Sequence, residues 1–336
     1  MSRAALRWLL SFVPRVEAAG ARLTIVRHHR VYGADERPLY RLGVSESVLE
    51  DQLTLLDRLG RTPITVAEGL RHLESGRPGH RVAMTFDDGY ADNVTRAFPI
   101  LRRHGARATF YLTAGWIEER RTPWWDVLAH ALEQGRPGRA VPGFGSAAGG
   151  ATLDGAGRRG ATLAQLLPAF RVPLAERERR LAELRAALGV DAAAPCELAT
   201  WDECHALVEG DMEVGAHTMN HPHLRLLDRS AQQEEIVGSA RLIERRLGVR
   251  PSGLAYPGGD YDEASLAAVT ASGLAYAVTT RAGHNVAGAP RYELRRRSWS
   301  EGACLGPSGR FSTRLATAEL NGAFDTLRSA STGVAS

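Results

Sequence analysis

A chain of 336 residues, 44% hydrophobic and 24% charged, carries enough apolar material for one large domain or two small ones and excludes wholesale disorder. The formal net charge is +4, and all 42 basic residues are arginines, scattered in short clusters such as Arg177-Glu178-Arg179-Arg180 and Arg295-Arg296-Arg297. No basic stripe and no binding motif accompanies them, which sets nucleic acid aside as a partner; three cysteines (Cys196, Cys204, Cys304) without metal-knuckle spacing argue against a disulfide framework and fit a reducing compartment.

Residues 1–20 read as an N-terminal extension, an amphipathic helix around Trp8-Leu9-Leu10-Ser11-Phe12-Val13. That run is too short to span a bilayer. Arg15 and Glu17 stand where a cleavage region would lie, so a cytoplasmic location is expected, with an export signal and a periplasmic or cell-envelope location as the alternative.

From residue 21 onward strands and helices alternate. Leu23-Thr24-Ile25-Val26 is a buried strand, and Ser45 to Leu59 has helical spacing with Ser45 or Ser47 as cap. Arg81 to Phe86 is a strand that runs into Asp87-Asp88-Gly89. Ala91 to His104 is a helix ended by Gly105, and Ala108 to Leu112 the next strand. Gly135 to Gly160, with nine glycines and little periodicity, reads as a flexible insertion or surface loop, followed by a helical segment from Ala164 to Leu188. Met212 to Ala216 is a strand delivering His217. Ser230 to Leu247 is a helix ended by Gly248, and Gly253 to Tyr256 a strand delivering Pro257-Gly258-Gly259. Asp262 to Ser272 is a helix ended by Gly273, and Ala275 to Thr279 a further strand. Alternation of this length implies a mostly parallel sheet in one domain over residues 21–300, with 301–336 as a C-terminal tail. In such folds chemistry sits at the C-terminal ends of strands, which is where the polar clusters fall.

Thr85-Phe86-Asp87-Asp88-Gly89-Tyr90 places two adjacent carboxylates at a strand end. Like charges this close resist joint ionisation unless a cation or hydrogen bonds compensate. Two readings stay open for the pair alone: a metal on one carboxylate with the other free as a base, or Asp88 as the cap of the helix that follows. His217-Thr218-Met219-Asn220-His221-Pro222-His223 follows another strand end. Pro222 disfavours a helix at His221, so a loop is expected. Borderline divalent metals accept carboxylate and imidazole together, and the two strand-end clusters together favour a three-ligand site over surface histidines.

These two motifs, with Ala255-Tyr256-Pro257-Gly258-Gly259-Asp260-Tyr261-Asp262 and His29-Arg30-Val31, resemble the polysaccharide deacetylase family, the NodB-homology carbohydrate esterases, over roughly residues 22–300. The resemblance implies a distorted (β/α) barrel of about seven parallel strands. It implies one divalent metal, Zn2+ with Co2+ or Ni2+ as alternatives, on Asp88, His217 and His221, and Asp87 as general base. It implies that Gly258 supplies a backbone N–H to an oxyanion, with Tyr256, Pro257 and Tyr90 around the substrate. The substrate implied is an N-acetylated oligo- or polysaccharide; nothing in the sequence reads on oligomeric state. The family's late Leu-x-His is absent here, where Tyr292-Glu293-Leu294-Arg295-Arg296-Arg297 stands, and no arginine precedes Pro257 around Leu254. Both departures resemble the exopolysaccharide branch, and on that analogy His29 is the candidate acid and Arg296 the residue that orients Asp87. A non-catalytic carbohydrate binder and a hydrolase of a small non-sugar amide are the alternatives. Trp124 and Trp125 are expected to pack rather than to stack on sugar. His284 and Asn285 carry no specific signal, and His223 is expected beside the site or at the surface.

Overall fold

The computed structural model describes residues 7–8, 11, 20–144, 149–153 and 155–325. The apolar, β-branched runs become strands: β1 (Ala21–His28), β2 (Arg30–Tyr32), β3 (Gly43–Ser45), β4 (Gly79–Phe86), β5 (Ala108–Leu112), β6 (Glu213–Ala216), β7 (Gly253–Ala255), β8 (Tyr276–Val278), β9 (Asn285–Val286) and β10 (Arg296–Ser298). Seven of them form one parallel sheet in the order β10-β1-β4-β5-β6-β7-β8, with β9 antiparallel on β1. A single parallel bridge from Val278 to Leu294, two residues before β10, brings the two edges together. This is the distorted (β/α) barrel that the sequence implies, with β2 and β3 as a separate parallel pair.

Alternation places Leu23, Ile25, Ala83, Tyr111, Ala255, Tyr276, Val278 and Leu294 in one buried cluster on the inner face of the sheet. The opposite face packs against the helices in a second, larger cluster that includes Val26, Val82, Met84, Phe110 and Val214. Full burial of each such side chain contributes roughly 1.5–3 kcal/mol, which is what holds the strand ends in place. Helix boundaries follow local chemistry. Ser45 caps Glu46–Arg58 through its side chain. Gly248 and Gly273 end Arg229–Leu247 and Glu263–Ser272 in the left-handed conformation.

Three expectations change. The helical segment expected from Ala164 to Leu188 is two helices, Ala156–Ala169 and Leu174–Leu188. Pro173, with φ −52° and ψ 150°, leaves the helical region and cannot continue the first helix. The glycine-rich stretch from 135 to 160 is partly ordered: Ala140 bridges Thr152, and the helix starts at Ala156. The helix expected from Ala91 to His104 passes through a π-helical turn at Asn93–Ala97 before Phe98–Arg103. The tail is docked, at least to residue 325. Trp299 Nε1 donates to Ala316 O at 3.1 Å, and Arg297 bonds Asp325 at 3.0 and 2.9 Å. Most of the N-terminal extension, with its expected amphipathic helix, lies outside the described residues. No helix among the described residues is long and apolar enough to cross a membrane.

Candidate active site

β4 ends at Phe86 and delivers Asp87 and Asp88 to the C-terminal rim, where the Asp87 N–H continues the ladder to His28 O at 3.0 Å. Asp87 is 2% exposed. The buried guanidinium of Arg296 grips it bidentately, Nη1 to Oδ1 at 2.6 Å and Nη2 to Oδ2 at 2.8 Å. Arg296 is itself fixed by Thr279 O at 3.0 Å and Thr85 Oγ1 at 3.2 Å. Burial alone would raise the Asp87 carboxyl, but Arg296 outweighs it and holds the group well below the usual carboxylate range. Of the two readings of Arg296, oriented partner or solvated surface charge, its geometry is that of the partner.

Asp88 adopts φ +77°, His221 φ +48° and the intervening Thr218 φ +65°, left-handed conformations that non-glycine residues take only at a cost. This strain places one atom each of Asp88, His217 and His221 within 4.8 Å of one another. His217 Nε2 lies 3.4 Å and His221 Nε2 3.7 Å from Asp88 Oδ1. Both Asp88 oxygens are buried without a hydrogen-bond partner. An ionised carboxylate with two orphaned oxygens facing two imidazole nitrogens is costly unless a cation compensates it, and the donor set suits a divalent one. Burial raises the Asp88 carboxyl and the neighbouring imidazoles lower it, with a net downward shift. His217 Nδ1 sits 2.6 Å from Ala255 O, which fixes that nitrogen as the donor and leaves Nε2 free towards Asp88. Burial, then His217, pushes His221 down to about 3 and keeps it neutral, as a ligand must be.

Glu235, on the helix Arg229–Leu247, pins the histidine loop. It accepts from the N–H groups of Met219 and Asn220 at 2.9 and 2.8 Å and from Asn220 Nδ2 at 2.9 Å. Gly115 N–H donates to Met219 O at 3.0 Å from the other side, and a Cβ on Gly115 would lie 2.6 Å from that oxygen. The sequence offers no local sign of Glu235, because its partners are fifteen residues away across a turn.

The carboxylates and histidines open onto a cleft of about 300 Å³ lined also by Arg27, His29, Tyr40, Trp124, Trp125, Arg171, His223, Tyr256, Gly258 and Thr280. A larger groove of about 790 Å³ between Trp8 and residues 306–323 has neither carboxylate nor imidazole in its lining. Gly258 takes φ +64°, so the chain can turn its backbone into the cleft. His29 follows β1 and lies half-buried on the cleft wall; burial, then Arg27 and Arg296 against the two aspartates, brings it down to about 4.

Tyr90 and Pro257 are buried and are not among the residues lining the cleft. The Tyr90 hydroxyl instead donates to Asp126 at 2.7 Å and accepts from Trp125 Nε1 at 2.7 Å. Trp125 meets His221 edge-on at 4.8 Å, so this chain of bonds fixes one wall of the histidine. The tryptophans thus pack, as expected, and also face the cleft. His223 is at the mouth, 4.0 Å from Asp260. His284 lies away from the cleft lining, 2.6 Å from Thr24 Oγ1, and Asn285 belongs to β9.

A model of the polysaccharide deacetylase family matches residues 74–137 and 187–277. YxkH of Bacillus subtilis (strain 168), whose name places it among the polysaccharide deacetylases, is 21% identical over 265 residues, which cover 78% of this chain and 66% of that protein. The chain therefore spans just under two thirds of that relative's length. Among solved structures, a Streptococcus pyogenes deacetylase, PplD, in complex with acetate superposes with TM-score 0.56 at 20% identity, covering 83% of this chain and 92% of that one. IcaB from Ammonifex degensii gives 0.56 at 19% identity, covering 90% and 97%. At this identity the structural likeness is one of fold.

Proposed function

Given that the chain belongs to the polysaccharide deacetylase family, a family of hydrolases that act on carbon–nitrogen bonds, we propose that it removes acetyl groups from N-acetylated amino sugars in an oligo- or polysaccharide, N-acetylglucosamine first among them. The observation that carries this reading is the pairing of two unlike carboxylates at one strand end. Asp87 is saturated by Arg296, while Asp88 is left unpaired towards His217 and His221.

Members of this family are metal-dependent, and the donor set fits a divalent ion, Zn2+ in our reading, held by Asp88, His217 and His221. When bound, such an ion supplies Lewis acidity towards the acetamide carbonyl and eases deprotonation of water. The remaining work falls to this chain's residues. Asp87, held ionised and immobile by Arg296, accepts the proton of the attacking water. The backbone around Gly258 comes close to the substrate and directs an N–H at the developing oxyanion. His29, which also lines the cleft, passes the proton that Asp87 has taken from water on to the departing amine. Three unpaired cysteines, two of them buried, support the cytoplasm as the location. The test is acetate release from N-acetylglucosamine oligomers with mass spectrometry of the products. One free amine per acetate supports the proposal, and acetate without new amines, or neither, refutes it.

A further inference from the structure

Arg27 follows Ile25 on the inner face of β1, and the pairing of β1 with β4 sets it beside Thr85, one step below Asp87. Arg27 lines the cleft. Its Nε is buried without a partner, and among the described residues its side chain makes no hydrogen bond or ion pair. Leaving a charged donor of this kind unsatisfied is costly, unless the missing acceptor arrives with a ligand. The two carboxylates in the lining are not spare. Asp87 is taken by both terminal nitrogens of Arg296, and Asp88 faces the histidines. The lining adds a second cation, Arg171, for which no ion pair is found among the described residues. Behind the wall, the buried Arg177 lies 5.3 Å over the Trp124 ring, its Nε and Nη1 also unpartnered. Burial, then the nearby Arg296, outweighs the pull of Asp87 and Asp88 and lowers Arg27 to about 10.

A neutral acetamido sugar brings no counter-charge for this wall. A planar fork of donors suits a carboxylate or a phosphate, which it can grip bidentately. We propose that the cleft selects an N-acetylated sugar that bears an anionic oxo group, on the reacting residue or its neighbour, and that Arg27 is the residue that reads it. This rests on the deacetylase reading of the same cleft and names the class of its substrate.

The experiment compares three matched probes: triacetylchitotriose, the same trimer with a C6 carboxylate, and the same trimer with a C6 phosphate. Each is assayed by acetate release and, separately, by calorimetric binding to the metal-loaded protein, for wild type and Arg27→Gln. The wild type is expected to favour at least one anionic trimer over the neutral one tenfold or more in kcat/KM. Arg27→Gln should collapse that ratio at least tenfold, with Arg27→Lys restoring part of it. Preference for only one anion identifies the source of the charge. Equal kcat/KM on neutral and anionic trimers, or an equal fractional loss on all three in Arg27→Gln, overturns the proposal. Absence of acetate release from every probe refutes the deacetylase reading instead, and the binding arm still decides this one: charge-selective binding that Arg27→Gln abolishes upholds it, and equal affinities overturn it.

Discussion

Replacing Arg296 with methionine isolates the most consequential charge pair of the site. The substitution keeps much of the stem but strips a 2%-exposed carboxylate of two hydrogen bonds, at 2.6 and 2.8 Å, and of the cation that grips it bidentately. Two unit charges about 4 Å apart interact by roughly 4 kcal/mol at an effective dielectric near 20. Removing one partner of a buried pair typically costs about 3–5 kcal/mol, because the other charge stays behind unpaired. At about 2.1 cal/mol/K per residue, 336 residues give an unfolding entropy near 0.7 kcal/mol/K, so the loss corresponds to a Tm lower by about 4–7 °C. The assay is thermal unfolding of metal-free protein for the wild type, Arg296→Met, Asp87→Asn and the double variant. Asp87→Asn removes the charge that Arg296 serves, so the double variant should lose much less than the two single losses added, with a coupling of about 2–4 kcal/mol. Additive losses, or an Arg296→Met protein as stable as wild type, would refute the account of Asp87.

Other outcomes follow from the same geometry. Changing His29 to alanine should cut turnover by about 10²–10⁴ while metal content by atomic absorption stays at the wild-type value; unchanged turnover would remove His29 from the reaction. Glu235→Ala deletes three hydrogen bonds to the histidine loop and should weaken metal binding about 10–100-fold in competition with a chelator, whereas an unaltered affinity would show that the loop holds itself. Burial, against the Tyr90 hydrogen bond, raises the Asp126 carboxyl to about 7. A group whose folded pKa is raised contributes stability that is complete below its unfolded value near 4 and lost as pH climbs through 7. Asp126→Asn should therefore flatten the decline in Tm between pH 4 and pH 8, and an unchanged slope would place the decline elsewhere.

How much of this was legible beforehand depended on distance along the chain. Strands β4 and β5 and the helix ends at Gly248 and Gly273 are local events, set by apolar runs and by glycine's access to positive φ, and they stood out in the sequence. The convergence of Asp88 with His217 and His221 was readable because each follows a strand and a parallel sheet brings strand ends to one rim. The break at Pro173 is masked by helical spacing on both sides, although the proline itself marks it. Tyr90 follows the Asp-Asp-Gly motif in sequence yet turns away from the cleft, which depends on Trp125 and Asp126 on a distant helix. Arg27 could have been found by continuing the inward alternation of Leu23 and Ile25 by two residues. Glu235 could not, since its role exists only once the loop folds back on it.

The most direct test of the central claim is acetate release from N-acetylglucosamine oligomers by protein stripped of metal and then reloaded with zinc, with Asp87→Asn alongside. The account predicts no release from the stripped protein, recovery on reloading, and loss of at least about a hundredfold in Asp87→Asn despite full metal content. Release that survives stripping, or an Asp87→Asn protein as active as wild type, would contradict it.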